Sequence, residues 1–204
     1  LMVNRIKRER SHQDLQLKES RLRSIVDILQ QRAGTTPELL KYALDQVIQL
    51  TGSQYGFFST NTLEVSGADL HIWSSSVLRD CNLSVQPDWC DSLGLSEEVT
   101  RTRKPLFIND SKAPHPLKKG LPEGHLRLTR LMIVPVLSQK RLVALVGLAN
   151  KESEYDESDA LQVTLLMDVV WNAVQWKLAE EALQRSEAIY RQLFEQAADG
   201  IFIS

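Results

Sequence analysis

The sequence predicts an α+β fold, an α/β/α sandwich: an antiparallel sheet with helices packed on it, extended by long N- and C-terminal linker helices. Three observations predict it. Two apolar runs, 131–137 and 142–149, each have strand length and are separated by the polar quartet Ser138-Gln139-Lys140-Arg141, the pattern of a β-hairpin. The second run, LVALVGLA, has almost no polar alternation, so both of its faces should be covered. From Ser158 a helical pattern continues to Gln196. At ~1.5 Å per residue it is about 55–60 Å long, more than one domain of this size needs, so it should project.

The remaining elements follow in order. Residues 1–33 are polar with a sparse seam at Leu15, Lys18, Leu22, Ile25 and Leu29, the narrow stripe of a coiled-coil helix. Gly34-Thr35-Thr36-Pro37 stops that helix and starts another, with Thr36 as N-cap and Pro37 at the first helical position. Residues 37–50 then repeat Leu39, Leu40, Ala43, Leu44, Val47 and Ile48 at helical spacing, and Gly52 ends them. Residues 55–60 and 69–75 read as strands around a polar turn. The interval 76–94 has no period, 96–103 forms a short helix stopped by Pro105, and 106–108 is a short buried strand. A long Pro/Gly-framed loop fills 109–130, a length that inside a compact domain marks function. In the last helix the broad apolar face of Leu161, Leu165, Leu166, Val169, Val170, Ala173 and Val174 should pack on the domain. Its second half narrows to a 3-4 seam through Asn172, Trp176, Ala179, Leu183, Ser186, Tyr190 and Leu193, which suits a partner helix and hence a homodimer.

Composition bounds the function. The 204 residues are 43% hydrophobic and 25% charged, ordinary for one domain with appendages. A net charge of −2 argues against nucleic acid as a partner. Charge is unevenly placed, however: residues 1–24 carry seven Lys or Arg against three acids, and 110–130 carry five against two. No apolar run approaches the ~20 residues of a membrane span. The basic start lacks the apolar core of a signal peptide, so no membrane contact is expected. Cys81 and Cys90 cannot make a disulfide framework or a Cys-only zinc site, and suit the reducing cytoplasm.

The order of elements, with ELLKYALDQVIQLTGSQYGFF, TRKPLFIND, LPEGH, LMIVPV and LVGLANKESEYDESD, resembles a GAF domain over roughly residues 37–175. GAF domains are sensory and dimerisation modules of signalling proteins. SEAIYRQLFEQAADGIFIS is similar to the opening of a PAS domain. The resemblance divides the chain into a linker helix at 1–33, a GAF domain at 34–175, a coiled-coil linker at 176–196 and the start of a PAS domain at 197–204. That layout is the one found in bacterial sensor histidine kinases and diguanylate cyclases. Asn150-Lys151 with Tyr155-Asp156-Glu157 is similar to the signature of cyclic-nucleotide-binding GAF domains, with compressed spacing and Tyr in place of Phe. The bland reading of these residues is preferred: Asp156 or Ser158 caps the exit helix, and Lys151 pairs with one of the acids.

The resemblance implies a small ligand held between the sheet and the segments crossing it. There the sequence offers Trp73, Cys81, Trp89, Cys90, Asn109, Asp110, His115, Lys118, Lys119, His125 and Arg130, whose basic members suit an anion. His71 reads as a half-buried strand histidine, not a ligand. The cofactor is left unknown. Haem could take a histidine or cysteine axially but has no motif here. A bilin would want a cysteine followed by His, whereas Cys81 precedes Asn82 and Cys90 precedes Asp91. Metal spacing is absent. Thiol-dependent methionine sulfoxide reduction, known on this fold, is a remote alternative for the two cysteines; no other catalytic constellation is present, and no enzyme activity is expected of this chain. The expected function is a sensory module passing a signal through its helices to a distant output domain. The rival is a dimerising spacer without a ligand.

Overall fold

The computed structural model describes residues 35–60, 70–80, 95–113 and 126–201, without the side chains of residues 193 and 195–201. The elements are α1 (Thr36–Thr51), β1 (Tyr55–Ser59), β2 (His71–Trp73), α2 (Ser75–Asp80), α3 (Leu95–Thr102), β3 (Leu106–Ile108), β4 (Leu131–Ser138), β5 (Arg141–Ala149) and α4 (Glu157–Ile201). Among the described residues the strands form one five-stranded sheet, ordered β2-β1-β5-β4-β3, with every neighbouring pair antiparallel. This is the predicted α+β architecture.

α1 begins one residue earlier than expected. Thr35, not Thr36, is the N-cap: its hydroxyl accepts from Glu38 N–H while Glu38 Oε2 accepts from Thr35 N–H at 2.6 Å, a complete capping box. Two adjacent threonines offered two caps, and only the first places a Glu three residues on. Gly52, at φ 66°, closes the C-terminus in the left-handed conformation.

The central hairpin is tighter than the polar quartet suggested. Ser138 and Arg141 pair with each other, leaving a two-residue turn. Gln139 and Lys140 both have positive φ (49° and 66°), as a type I′ turn requires. The two outer members of the quartet are polar because they lie at the solvent end of the strands. Pro135 is tolerated in β4 because β3 pairs only with Leu131–Ile133, so beyond that point this strand has a free edge among the described residues.

Period-two alternation distributes β4 and β5 over two cores. Met132, Val134, Val136, Ala144, Val146 and Leu148 face α1 and α4, while Leu131, Ile133, Leu145 and Ala149 face α2 and α3. β5 is therefore covered on both sides, as its unbroken apolar run required. Each fully buried Leu or Val there contributes about 1.5–3 kcal/mol.

Two further readings are corrected. The 69–75 strand is reduced to His71–Trp73, and α2 occupies Ser75–Asp80 at the start of what read as irregular chain. Ser74 explains this. Its hydroxyl accepts from Val77 N–H as an N-cap would, but the helix is too short to show a period. The broad face of α4 is also rotated from its expected phase. Ala160, Val163, Leu166, Met167, Val170, Trp171 and Val174 are buried, whereas Leu161 and Leu165 point outward. The helix continues five residues past the expected end at Gln196. The expected N-terminal linker, 1–33, lies outside the described residues, and so do residues 202–204 of the expected PAS opening.

Candidate functional site

The sheet face turned away from α1 and α4 is the candidate ligand side. Tyr55 and Phe57 of β1 lie on it beside Ile133, Leu145 and Ala149, with Val77, Leu95, Val99, Leu126 and Leu128 packed over them. Phe57 crosses β5 at Gly147, its directly paired residue. A Cβ added to Gly147 would stand 1.8 Å from Phe57 Cε1, so the ring occupies the space that any side chain would need. Trp73 of β2, half-buried, tilts its ring against Phe57 at a centroid distance of 5.7 Å. This aromatic pair lines the face. The Tyr55 hydroxyl donates to Asp80 of α2 at 3.1 Å, and burial together with that carboxylate pushes the phenol pKa up.

Four of the sequence-predicted ligand residues are described. Trp73 lies on the aromatic floor. Asn109, just after β3, binds the backbone of one residue with both ends of its amide: Nδ2 donates to Tyr155 O (3.0 Å) and Oδ1 accepts from Tyr155 N–H (2.8 Å). Asp110 accepts from Lys112 N–H and closes its own turn. Arg130 donates from Nη1 to Lys151 O at 3.2 Å, while its buried Nε has no partner among the described residues. Cys81, Trp89, Cys90, His115, Lys118, Lys119 and His125 lie outside the described residues. His71 is exposed, not half-buried, and its Nδ1 lies 3.1 Å from Ser59 Oγ.

Asn109 and Arg130 lead to an arrangement that the spacing did not show. The short segment between β5 and α4 is a clasp on which four parts of the chain converge. Asn150, in the left-handed conformation at φ 60°, accepts from Thr129 N–H (2.9 Å) and donates to Arg127 O (2.9 Å), which fixes the 126–130 segment to the end of β5. Lys151 makes a close ion pair with both oxygens of Asp159 in the first turn of α4 (2.7 and 2.6 Å), with both side chains largely buried. Its ammonium also lies 5.8 Å from the Tyr155 ring centroid. Asp156 caps α4 by accepting from Ser158 and Asp159 N–H groups, so the expected cap and ion pair are both present.

Tyr155 adds a buried hydroxyl chain that the sequence reading missed. Its OH meets Ser53 Oγ at 2.8 Å, Ser53 meets Thr51 Oγ1 at 2.7 Å, and Thr51 donates to Val47 O, so the clasp is anchored to the end of α1. A tyrosine in a polar stretch before a cap was the available signal; its partners lie about a hundred positions away (|i−j| of 102 for Ser53). Burial pushes the Tyr155 phenol up to about 12, partly opposed by its Ser53 bond and reinforced by Asp159. The fold thus retains a proton that the unfolded chain loses near the ordinary value of 10.0. The corresponding stability is whole below that pH and is lost as pH rises toward about 12. A two-unit difference corresponds to about 2.7 kcal/mol. Alkaline denaturation followed by tyrosine absorbance should therefore be cooperative in this window, and Tyr155→Phe should flatten that part of the pH dependence.

Among the described residues no group of three or more His, Cys, Asp or Glu side chains is set to hold a metal, and no helix is long and apolar enough to cross a membrane. On the seam of α4, Trp176, Ala179, Leu183 and Tyr190 are exposed; the Leu193 side chain lies outside the described set.

A two-cored antiparallel sheet with a helical layer on one face and short helices and loops on the other defines the class of α+β sandwich domains. The family model for the GAF domain matches residues 33–175, and the chain belongs to that family. It is 40% identical over 172 residues to the methyl sulfide methyltransferase-associated sensor of Methanosarcina acetivorans; the match covers 82% of this chain but only 17% of that relative's length. Among solved structures it is similar to the GAF domain of an Acinetobacter phosphoenolpyruvate-protein phosphotransferase (TM-score 0.59, 14% identity, 79% of this chain and 93% of that one). It is also similar to a bacteriophytochrome of R. palustris (TM-score 0.58, 14% identity, 93% of this chain and 43% of that one). At those identities the two structures show the fold alone. Membership of a regulatory family and a relative named as a sensor set this chain among regulatory, not catalytic, domains.

Proposed function

We propose that this chain is a sensory regulatory module of a larger cytoplasmic signalling protein, binding a small anionic ligand on the Phe57–Trp73 side of the sheet. The signal leaves through α4 toward a distant output domain, in a homodimer joined by the linker helices. A following PAS domain and an output of histidine kinase or diguanylate cyclase type belong to the same reading. The observation that carries it is the clasp. Asn150 holds the segment that ends the basic loop, Asn109 holds the segment that begins it, and both are tied within a few residues to the start of α4. A ligand that favours one packing of the loop then favours one packing of the α4 start. It can do so only through different affinities for the two. The sensor-named relative supports the sensory half of the reading.

The test is native mass spectrometry of the freshly purified chain, its absorption spectrum, and thermal melts across phosphate, carboxylates and nucleotides. A ligand present at about 100 times its Kd stabilises by about 2.7 kcal/mol, so one anion should raise Tm by roughly 5–10 °C. A co-purified small mass agrees with the reading. A Soret or visible band would bring haem or a bilin forward in place of an anion. No mass, no band and no shift would leave the dimerising spacer.

A further inference from the structure

Arg130 differs from Trp73 in the side of the sheet it serves. Along β4, Met132, Val134 and Val136 all face α1 and α4, and Arg130, just before the strand, shares their phase. It donates to Lys151 O on the clasp. Its charge also opposes, in small part, the burial that raises the Tyr155 phenol, and Tyr155 belongs to that same core. Arg130 therefore lies across the sheet from the Phe57–Trp73 floor.

Its hydrogen bonding there is incomplete. Nη1 is spent on the Lys151 carbonyl at 3.2 Å, while Nε is buried and has no partner among the described residues. A buried N–H without an acceptor is costly, the more so on a charged group. Among the described residues no carboxylate pairs with Arg130, because the acids at the α4 start are committed elsewhere. Asp159 is held by Lys151, and Asp156 by the N–H groups of Ser158 and Asp159. Nε and Nη2 form the side edge of a guanidinium, the fork that grips a carboxylate or phosphate through two parallel N–H bonds. The clasp holds the chain around that edge in place. Residues 126–130 are tied to Asn150 through Thr129 N–H and Arg127 O, and both bonds are exposed, the kind that opens at low cost.

We infer that Arg130 is the receptor for an oxyanion, a carboxylate or phosphate group, which docks on its Nε edge when residues 126–130 lift from Asn150. The inference rests on the reading of this chain as a sensor and adds a second anion site, on the α4 side of the sheet. The closed clasp hides Nε and the lifted one offers it. The anion thus has the unequal affinities for two packings without which no ligand shifts an equilibrium. It acts beside the Lys151 carbonyl, in the segment that leads into α4.

The test is nitrogen–proton NMR of the full 204-residue chain. It follows the Arg130 Nε–H signal, assigned through its own side-chain carbons and by its loss in Arg130→Lys. Sodium phosphate, acetate and chloride are titrated at constant ionic strength. Phosphate or acetate should move the signal and saturate it with a Kd on the order of 1 mM, the strength of one charged fork, and chloride should not. Asn150→Gly, which releases residues 126–130, should tighten that binding several-fold, since the competent packing is then populated in advance. A signal unmoved by either oxyanion at about 50 mM overturns the site. Equal affinity in Asn150→Gly overturns the lifting. An oxyanion-induced rise in Tm that survives Arg130→Lys but is lost in Trp73→Phe puts the anion on the aromatic face, so the sensor reading stands and the Arg130 site falls. A response of the Arg130 signal that Trp73→Phe leaves intact supports the second site, even where the aromatic face binds nothing.

Discussion

Replacing Lys151 by alanine is expected to cost about 3–5 kcal/mol, the largest single loss available in the clasp. The reason is what it leaves behind. Asp159 keeps only 7% of its side chain exposed, and it accepts from Asp156 N–H as well as from Lys151. With the ammonium gone, a carboxylate stays in the first turn of α4 without its counter-charge. The helix N-terminus recovers part of that loss, so the lower end of the range is the better expectation. The second arm is diagnostic. Lys151→Met with Asp159→Leu removes both charges and should recover most of the stability, because a buried pair replaced by apolar groups of similar volume is often close to neutral. Denaturant melts of these two variants and of the parent chain measure this directly. Equal losses in the single and double variants would mean that the pair's packing, and not its charge, holds the turn.

Gly147→Ala should destabilise by about 3 kcal/mol, the upper end for an overpacked core, since the new methyl falls inside the Phe57 ring. Backbone strain is not the cause, as Gly147 is not among the positive-φ glycines. The effect should therefore depend on the partner. In a Phe57→Leu background the same change should cost much less, and the difference between the two costs measures the coupling. The ring must also leave its place beside Trp73, so tryptophan fluorescence should change in Gly147→Ala. An additive double mutant would detach the glycine from the aromatic floor.

Much of the fold was legible because its central elements obey simple periods. The β4–β5 hairpin showed in two strand-length runs, and the double coverage of β5 showed in a run with no polar residue. The capping of α4 by Asp156 and its ion pair with Lys151 were legible for a related reason: cap, acid and lysine lie within nine positions of one another. The phase of α4 was not. Leucines at 161 and 165 and apolar residues at 163, 166, 167 and 170 make both sides of that half apolar, so periodicity alone cannot say which side is inside. Gly147 interrupting LVALVGLA was the available sign of a close approach, but nothing local named Phe57 as the visitor.

The candidate site was less legible, for a different reason. Asn109 and Arg130 were chosen for their chemistry, and polar side chains can serve a ligand or a backbone equally well. The structure engages both with backbone atoms of the clasp, 46 positions away for Asn109 and 21 for Arg130. Such pairings depend on the sheet bringing β3, β4 and β5 side by side, which no local pattern encodes. Trp73 kept a place on the floor because its strand could be read.

Asn150→Gly tests most directly whether the loop side and the exit helix are one mechanical unit. Glycine keeps the φ of 60° at no steric cost and deletes only the side-chain bonds to Arg127 and Thr129. Hydrogen exchange should then rise in residues 126–130 and, with it, in the first two turns of α4, while β1 amides stay protected. Faster exchange confined to 126–130, with the start of α4 unchanged, would contradict the coupling.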